Sequence, residues 1–499
     1  MQLFFRSILV WLFLLLTFVN SYSQERLGLT TSNYSGVNGV WLNPSSIVNY
    51  RQYLDINVAS GGFSVDNDYL YIDKSNYKVS NVLSLSPQLP VYTETHADLN
   101  YSVELGNFLH FQNTKTKDLN LDTRVNGLGF ILVKGKFAYG FSTAARSVLS
   151  VKNVPESVAN FGYIGLNYVP QHNIEYGEGA FSAGAMAWTE YGFSFAAILD
   201  DIYYNKVSLG ITMKYLKAWS GFYLNGDNIT YNMLDGETLD IRNMNATVGM
   251  SLPLDYATND FPAPGNFFKG QGLSMDLGIT FLKKDNNYLS RDFSRICEQH
   301  FDTYIYKFGI SLLDIGFVQF NDNAVTHQYS NAEHYWPQIN SYQYEDMNYL
   351  MGDLSTRFTG DSEATIVSNK VTMYTPAAIS VQGDVAMDNN IFLNAVWIQP
   401  LVLGKGTLSR PAQAAFIPRY ERRNFEVAIP FSLYQYQYPR VGLSIRAYWL
   451  TIGTEKLGAF TGLTDFTGLD IYFSVKFSFE KGRCPGVGRK YGCESVRFK

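Results

Sequence analysis

The last strand-like run of the chain, residues 468–479 (GLDIYFSVKFSF), alternates apolar and polar positions without a break. Leu469, Ile471, Phe473, Val475, Phe477 and Phe479 share one face; Asp470, Tyr472, Ser474, Lys476 and Ser478 share the other. Successive strand side chains point to opposite sides of a sheet, so this segment has one wholly apolar face and one polar, charged face. The same period recurs upstream. Tyr191, Phe193 and Phe195 oppose Glu190, Gly192 and Ser194; Leu209, Ile211 and Met213 oppose Gly210, Thr212 and Lys214; Met275, Leu277 and Ile279 oppose Asp276, Gly278 and Thr280. The pattern predicts strands at 53–60, 119–133, 137–150, 183–198, 206–219, 238–251, 272–283, 303–318, 376–386, 390–399, 412–422, 425–434, 440–452 and 469–479. Most are near or above the ~9–11 residues of a tilted membrane strand. Pro430 predicts a bulge or local break. No long amphipathic helix interrupts the series.

An apolar face on every strand would meet a second sheet in a soluble sandwich and lipid in a membrane barrel. Composition decides for lipid. Charged residues make up 17% of the chain, and 36 Tyr and 35 Phe lift aromatics to 16%; an apolar outer band, aromatic girdles and a sparsely charged interior need that balance. The expected fold is an all-β transmembrane antiparallel barrel of about fourteen strands. With both termini on one side, short turns at 134–136, 199–205 and 435–439 fall at that end. Longer links at 61–118, 151–182, 220–237, 284–302 and 453–468 fall at the other, the asymmetry of outer-membrane barrels. The link at 319–375 breaks the rule, being long yet assigned to the short-turn end. It holds either an insert or an unrecognised strand pair.

The N-terminus reads as an export signal over 1–23: one charge at Arg6, an apolar run over 8–19, and small residues Ser21 and Ser23 before Gln24. A retained anchor helix is the other reading of that run. No Cys stands at the cleavage point, which argues against a lipoprotein. The expected division is a signal (1–23), a plug-like N-terminal segment (24–52), a barrel (53–479) and a basic periplasmic tail (480–499). Cys484 and Cys493 flank a short turn-rich stretch, and export permits a disulfide there; two free thiols are the alternative. Cys297 has no evident partner.

Glu190, Lys214, Asp276, Lys307, Arg419, Glu421, Arg446, Asp470 and Lys476 stand opposite apolar neighbours and are placed in the lumen. They make either a structural ion-pair network or a charged constriction that selects solutes. If the lumen beside residue 474 is wet, Ser474→Arg is the milder change and Phe473→Arg the harsher. No nucleophile–base pairing, zinc spacing or phosphate-cradling loop stands out, so neither an enzyme nor a cofactor is expected, and no metal. A net charge of −5 argues against nucleic acid as a partner.

Several stretches carry a resemblance. These are Asn43-Pro44-Ser45, GLGFILVKGKFAYGFSTAARS at 127–147, AWTEYGFSFA at 187–196, KYLKAWSGFY at 214–223, GQGLSMDLGITF at 270–281, YKFGISLLDIG at 306–316 and IPRYERRNFEVAIPFSLYQY at 417–436. Together with GLDIYF at 468–473 they resemble an uncharacterised family of Bacteroidota outer-membrane barrels, a domain of unknown function. More distantly, an early Asn-Pro motif before a barrel is similar to the long-chain fatty-acid transporter superfamily, with its barrels tied to type IX secretion and gliding motility. The resemblance implies an outer-membrane location and an inward-folded plug over 27–50 carrying Asn43, Pro44 and Ser45. It implies passage of a small apolar or amphipathic solute past that plug. The alternative is a non-conducting accessory barrel for secretion, motility or surface-protein assembly. The expected partners are membrane lipid, such a solute, and a secretion or periplasmic protein.

Overall fold

Period-two alternation becomes a closed wall in the computed structural model, which describes residues 25–77, 89–263, 265–285, 303–342, 344–387 and 390–479. The expected export signal, Cys297, the Cys484/Cys493 pair and the basic tail lie outside the described residues. Fourteen antiparallel strands close the barrel. In order they are β1 (Leu54–Asn67), β2 (Lys117–Asn126 with Gly129–Lys134), β3 (Phe137–Val154), β4 (Phe181–Ile202) and β5 (Asn205–Met233). Next come β6 (Gly270–Lys284), β7 (Tyr304–Phe320), β8 (Val371–Tyr374 with Ala378–Ala386), β9 (Ile391–Pro400) and β10 (Gln413–Arg422). The circle ends with β11 (Phe425–Ala428 with Phe431–Tyr434), β12 (Tyr438–Val441 with Leu443–Ala447), β13 (Leu450–Thr454) and β14 (Gly468–Phe479). Strand β14 pairs back onto β1, from Leu54↔Phe479 to Asp66↔Gly468, which leaves no open sheet edge at the join.

The outward face explains the composition. Phe193, Met213 and Leu273 are each more than 60% exposed, and Phe308, Phe317, Phe416, Phe431, Ile452, Phe473 and Phe477 are exposed around the wall. A water-facing surface of that kind would be an aggregation site; against lipid it is the stable arrangement. Outward charge on the barrel strands keeps to the rims, as with Lys134, Asp200, Lys283 and Arg422 at the short-turn end and Lys217 and Asp227 at the long-loop end. Lys283 pairs with Asn205 and Gln271 with Lys217, so the twelve-residue span from Gln271 to Lys283 measures the uncharged band on β6. At ~3.4 Å per residue and ~40° tilt that band is about 30 Å tall, a bilayer's hydrocarbon thickness.

Two predicted strands differ, and the errors cancel in the count. Residues 238–251 are not part of the wall: Leu239–Ser251 folds back on the far half of β5 and carries Ala324–Tyr329 and His334–Trp336 beside it. Strand β5 is 29 residues long and serves two neighbours, β6 over 205–218 and this platform sheet over 221–233. The run 440–452 is two strands, because a tight turn at Tyr448-Trp449 joins β12 to β13 with Ala447 opposite Leu450. Tyr448 takes the left-handed conformation there (φ 52°), which nothing in its residue type announces.

The sidedness changes accordingly. With 238–251 removed from the wall, β7 ends and β8 begins at the long-loop end while β6 ends and β7 begins at the short-turn end, reversing the assignments of both links. The turn at 435–439 also moves, to the long-loop end. There Tyr434 and Tyr438 face each other, and Arg440 pairs with Asp66 near the end of β1. At Pro430 strand β11 is broken, and the Pro430 carbonyl accepts from Gly442 N–H (2.7 Å) across the matching break in β12.

Above the band the platform packs helix α1 (Met347–Thr359) against the sheet through Met351 and Leu354. Another loop unit is tied by Glu94, which accepts from His110 Nε2 (2.7 Å), Gln112 Nε2 (2.7 Å) and Tyr168 Oη (3.0 Å). Partial burial works to raise the Glu94 pKa, but those hydrogen bonds outweigh it and hold the carboxyl below its usual range. The described histidines all belong to such loop-end elements.

Phe473 lies mid-strand on β14, outward, between Gly61 and Ile452 of its neighbours. Phe473→Arg is expected to destabilise the barrel by about 2–4 kcal/mol in lipid. An unchanged urea midpoint for the refolded barrel would refute its lipid-facing position.

Candidate functional site

Residues 25–50 run through the interior of the barrel. The segment is a short helical turn (Leu27–Thr30) followed by 3-10 turns at Gly36–Trp41 and Pro44–Asn49. Leu27, Asn38, Ser45, Ile47 and Val48 are at most 1% exposed. Opposite walls hold it. Gly28 N–H donates to Glu455 Oε1 (3.3 Å), Asn38 Nδ2 to Ser474 Oγ (2.9 Å), and Asn49 Nδ2 to Ser208 Oγ (2.9 Å). Ser474 is therefore fully buried, and the wet lumen that would make Ser474→Arg mild is not found there.

Asn43, Pro44 and Ser45 open the second 3-10 turn in a way their chemistry requires. The Asn43 carbonyl oxygen caps it, accepting from Ser45 N (2.9 Å) and Ser45 Oγ (2.7 Å), while Pro44 fills the first position, where no N–H is needed. The Asn43 amide donates to Gln382 Oε1 (2.9 Å), and the Ser45 and Thr280 hydroxyls lie 2.6 Å apart. The wall yields space at three inward glycines. A Cβ on Gly210 would sit 2.3 Å from the Ser45 backbone nitrogen, one on Gly278 2.1 Å from Asn43 Oδ1, and one on Gly309 2.7 Å from Asn43 Nδ2. Gly210 and Gly278 are cross-strand partners, so the notch spans adjacent strands.

Around the segment lie two charge-balanced clusters. In the first, Asp314 accepts from Lys214 Nζ (2.6 Å), Arg146 Nη1 (3.0 Å) and Arg410 Nη2 (2.9 Å). Lys214 also meets Asp276 (2.6 Å), Arg124 pairs with Glu190, Arg410 with Glu25 (3.3 Å), and Arg26 with Asp122 (3.0 Å). Five acids thus face five bases. In the second, Asp384 pairs with Arg419 (2.9 Å) and Lys307 (3.1 Å), Arg419 with Glu421 (2.8 Å), Arg446 with Glu426 (3.0 Å), and Lys476 with Asp55 (3.7 Å). Four acids face four bases here. The segment completes this cluster: Ser32 Oγ donates to Glu426 (2.7 Å), and Asn33 Nδ2 to Glu421 (2.8 Å).

The nine charges expected in the lumen all face inward, divided between the clusters with one exception. Asp470 stands apart, with no cation at ion-pair distance among the described residues, and accepts the Glu455 backbone N–H (2.8 Å). The expected set did not include Asp314, Arg146, Arg124, Arg410, Asp55 or Asp384, nor Glu426, which alternates with Phe425 and Val427. Two partly open spaces beside the segment measure about 80 and 50 Å³, room for a few waters. The described residues bring together no His/Cys/Asp/Glu group suited to a metal ion.

The sequence matches the family of unknown function DUF5723 over residues 44–455. The chain belongs to that family. The match takes in most of the barrel and begins at Pro44 of the inward turn. No curated protein matches the sequence. Among solved structures the Ralstonia pickettii toluene transporter TbuX is similar at TM-score 0.40 and 9% identity, over 92% of this chain and 99% of that one. A TodX monoaromatic hydrocarbon channel carrying the deltaS2S3 mutation is similar at TM-score 0.43 and 7% identity (92% and 96%). A Pseudomonas aeruginosa FadL homologue is similar at 0.24 and 7% (92% and 99%). Scores this low assign no function; the barrel rests on its own strand pairings.

Asp314 has a left-handed backbone (φ 51°), which Asn accepts equally well, so Asp314→Asn removes charge without new strain. Removing the carboxylate shared by Lys214, Arg146 and Arg410 leaves five bases facing four acids in a buried cluster, and is expected to destabilise the refolded barrel by about 3–5 kcal/mol. A shift in urea midpoint under a fifth of that would show that the pairs are not sealed from water. Separately, Gly210→Val meets the backbone of Ser45, which cannot swing aside. Limited proteolysis should then cut within 25–50 at least tenfold faster while the wall stays resistant; unchanged cutting would contradict the notch.

Proposed function

We propose that the chain is an outer-membrane barrel whose lumen is closed to ions and polar solutes by its own N-terminal segment. In this reading it works as a non-conducting accessory barrel that presents its long-loop platform to protein partners. One observation carries the reading: the segment and two balanced charge clusters run through the interior, and the lumen spaces found beside them are small. An open porin needs a continuous wet path, and an apolar channel needs an apolar lumen pocket. The export-like N-terminus and the lipid-facing band support the outer membrane. A link to secretion or motility machinery belongs to the same proposal and rests on the family resemblance.

A second reading is favoured by the wall beside Leu27 and Gly28. Strand β13 has five residues, and outside it lies an apolar groove of about 530 Å³ lined by Leu443, Ile445, Leu450, Ile452, Phe460 and Ile471. Gly28 presses on Ser444 and Tyr472 directly behind. An apolar or amphipathic solute would pass here, by parting a thin wall rather than by crossing the lumen.

Planar-bilayer recordings combined with vesicle flux of a labelled alkane separate these readings. The accessory barrel is silent to ions and gives alkane flux equal to protein-free vesicles. Flux above that level with silent ion recordings would replace it with the apolar route. Steady ion conductance by the intact protein would overturn both.

A further inference from the structure

Lys217 is an outward-facing cation at the long-loop limit of the apolar band, and its surroundings form a site rather than a lone snorkelling side chain. Register places it in a polar row across four strands, Lys217↔Gln271, Gln271↔Gln319 and Gln319↔Thr372, at the upper limit of the 30 Å band. Between that row and the loop before β6 lies a groove of about 560 Å³, walled by Phe267 and Phe268. The Lys217 ammonium lies 5.6 Å from the Phe268 ring centre and 5.7 Å from that of Tyr215. It meets no carboxylate among the described residues.

Amide donors also line the groove. Gln319 stands beside Gln271 in the lining, and the Trp219 ring backs the aromatic wall, its centre 6.4 Å from that of Phe267. Gln271 is engaged through its carbonyl oxygen, which accepts from Tyr215 Oη (3.2 Å). The lining's one acid, Asp322, is directed to Lys269 (3.9 Å). Below the row the same strands turn bare hydrocarbon surface to the membrane, with Leu273 61% and Phe317 47% exposed.

We propose that this groove binds the phosphate-bearing headgroup of an anionic lipid in the leaflet at the long-loop end, its acyl chains lying over Leu273 and Phe317. The charge complementarity is local. The neighbouring loop tips are rich in Asp and Glu, so a cation at this position serves an anion arriving from the lipid side. Aromatic walls at headgroup depth suit an amphiphile, and the ammonium and amide donors match phosphate oxygens. The inference does not depend on whether the lumen conducts.

Native mass spectrometry of the full barrel, released from phosphatidylcholine nanodiscs with and without added lipid A, tests it. The intact protein should retain lipid A over phosphatidylcholine, and Lys217→Gln should lower that retention about fivefold, as one interfacial cation contributes. Phe268→Ala should lower it as well, whereas Lys283→Gln at the opposite rim should not. Heat-modifiable gel mobility confirms that each variant is folded. Equal retention by Lys217→Gln, or no preference over phosphatidylcholine, overturns the site. An equal loss with Lys283→Gln would also overturn it, since the effect would then be one of overall charge.

Discussion

Backbone N–H and C=O groups have no water to bond inside a bilayer, and that constraint orders everything else in this molecule. Each unsatisfied group costs several kcal/mol in hydrocarbon, so the wall must close on itself. The pairing of β14 with β1 closes it. Once the wall is closed, period-two alternation has a single outcome: half of every strand faces lipid and half faces an enclosed interior. Hydroxyls, amides and charges on the second half are then taken out of bulk water, and each needs a partner found inside the barrel.

The N-terminal segment supplies many of those partners. The wall alone leaves inward carboxylates such as Glu421, Glu426 and Glu455 short of donors, and Asn33, Ser32 and the Gly28 N–H provide them. Ion pairing supplies the rest. A buried pair is not strongly stabilising compared with an apolar replacement, but an unpaired buried charge is severely destabilising. Balanced clusters therefore read as a specificity device. They admit one placement of the segment and penalise every other, and the glycine notch at Gly210 and Gly278 fixes its register sterically. The proposed closure of the lumen has the same origin: a segment that completes the interior's hydrogen bonds also occupies its volume.

Fold class was legible because alternation and aromatic content report directly on a lipid-facing wall, as in 468–479. Sidedness was not, because alternation does not stop where the membrane does. Leu239–Ser251 alternates like a wall strand, yet it pairs with the part of β5 that rises above the band. The hairpin at Tyr448-Trp449 carries no Gly or Asn to mark it, so two strands read as one. Inward charges opposite clean apolar neighbours, such as Lys214 and Asp276, were visible for the same reason as the wall. Asp314 was hidden by a register shift between β6 and β7, where the simple period slips by a residue. Arg410 was hidden because it lies in a loop that dips inward, and Arg124 and Arg146 because their strands mix polar residues on both faces. The wall glycines were readable in principle, since an inward Gly in a strand marks a close backbone approach. Their counterpart at Asn43–Ser45 could not be inferred, because nothing local specifies which loop a glycine notch receives.

The wall is not uniform, and its weakest part coincides with the place where the segment enters. Strand β13 pairs with β14 over Leu450↔Val475 to Gly453↔Tyr472 only, and β11 and β12 are both interrupted, at Pro430 and Gly442. Backbone groups at these breaks rely on single bridging bonds such as Gly442 N–H to Pro430 C=O, rather than on a continuous ladder. The opposite wall, β3 through β7, is built from long strands paired over most of their length, with bulges but no break, and holds the glycine notch. One side of the barrel is thus a rigid seat for Asn43–Ser45, and the other a thin partition behind Leu27–Gly28. Local stability follows ladder continuity. Any opening of this barrel therefore starts at β11 to β13, and the Asn43 end of the segment is the last part to leave its site.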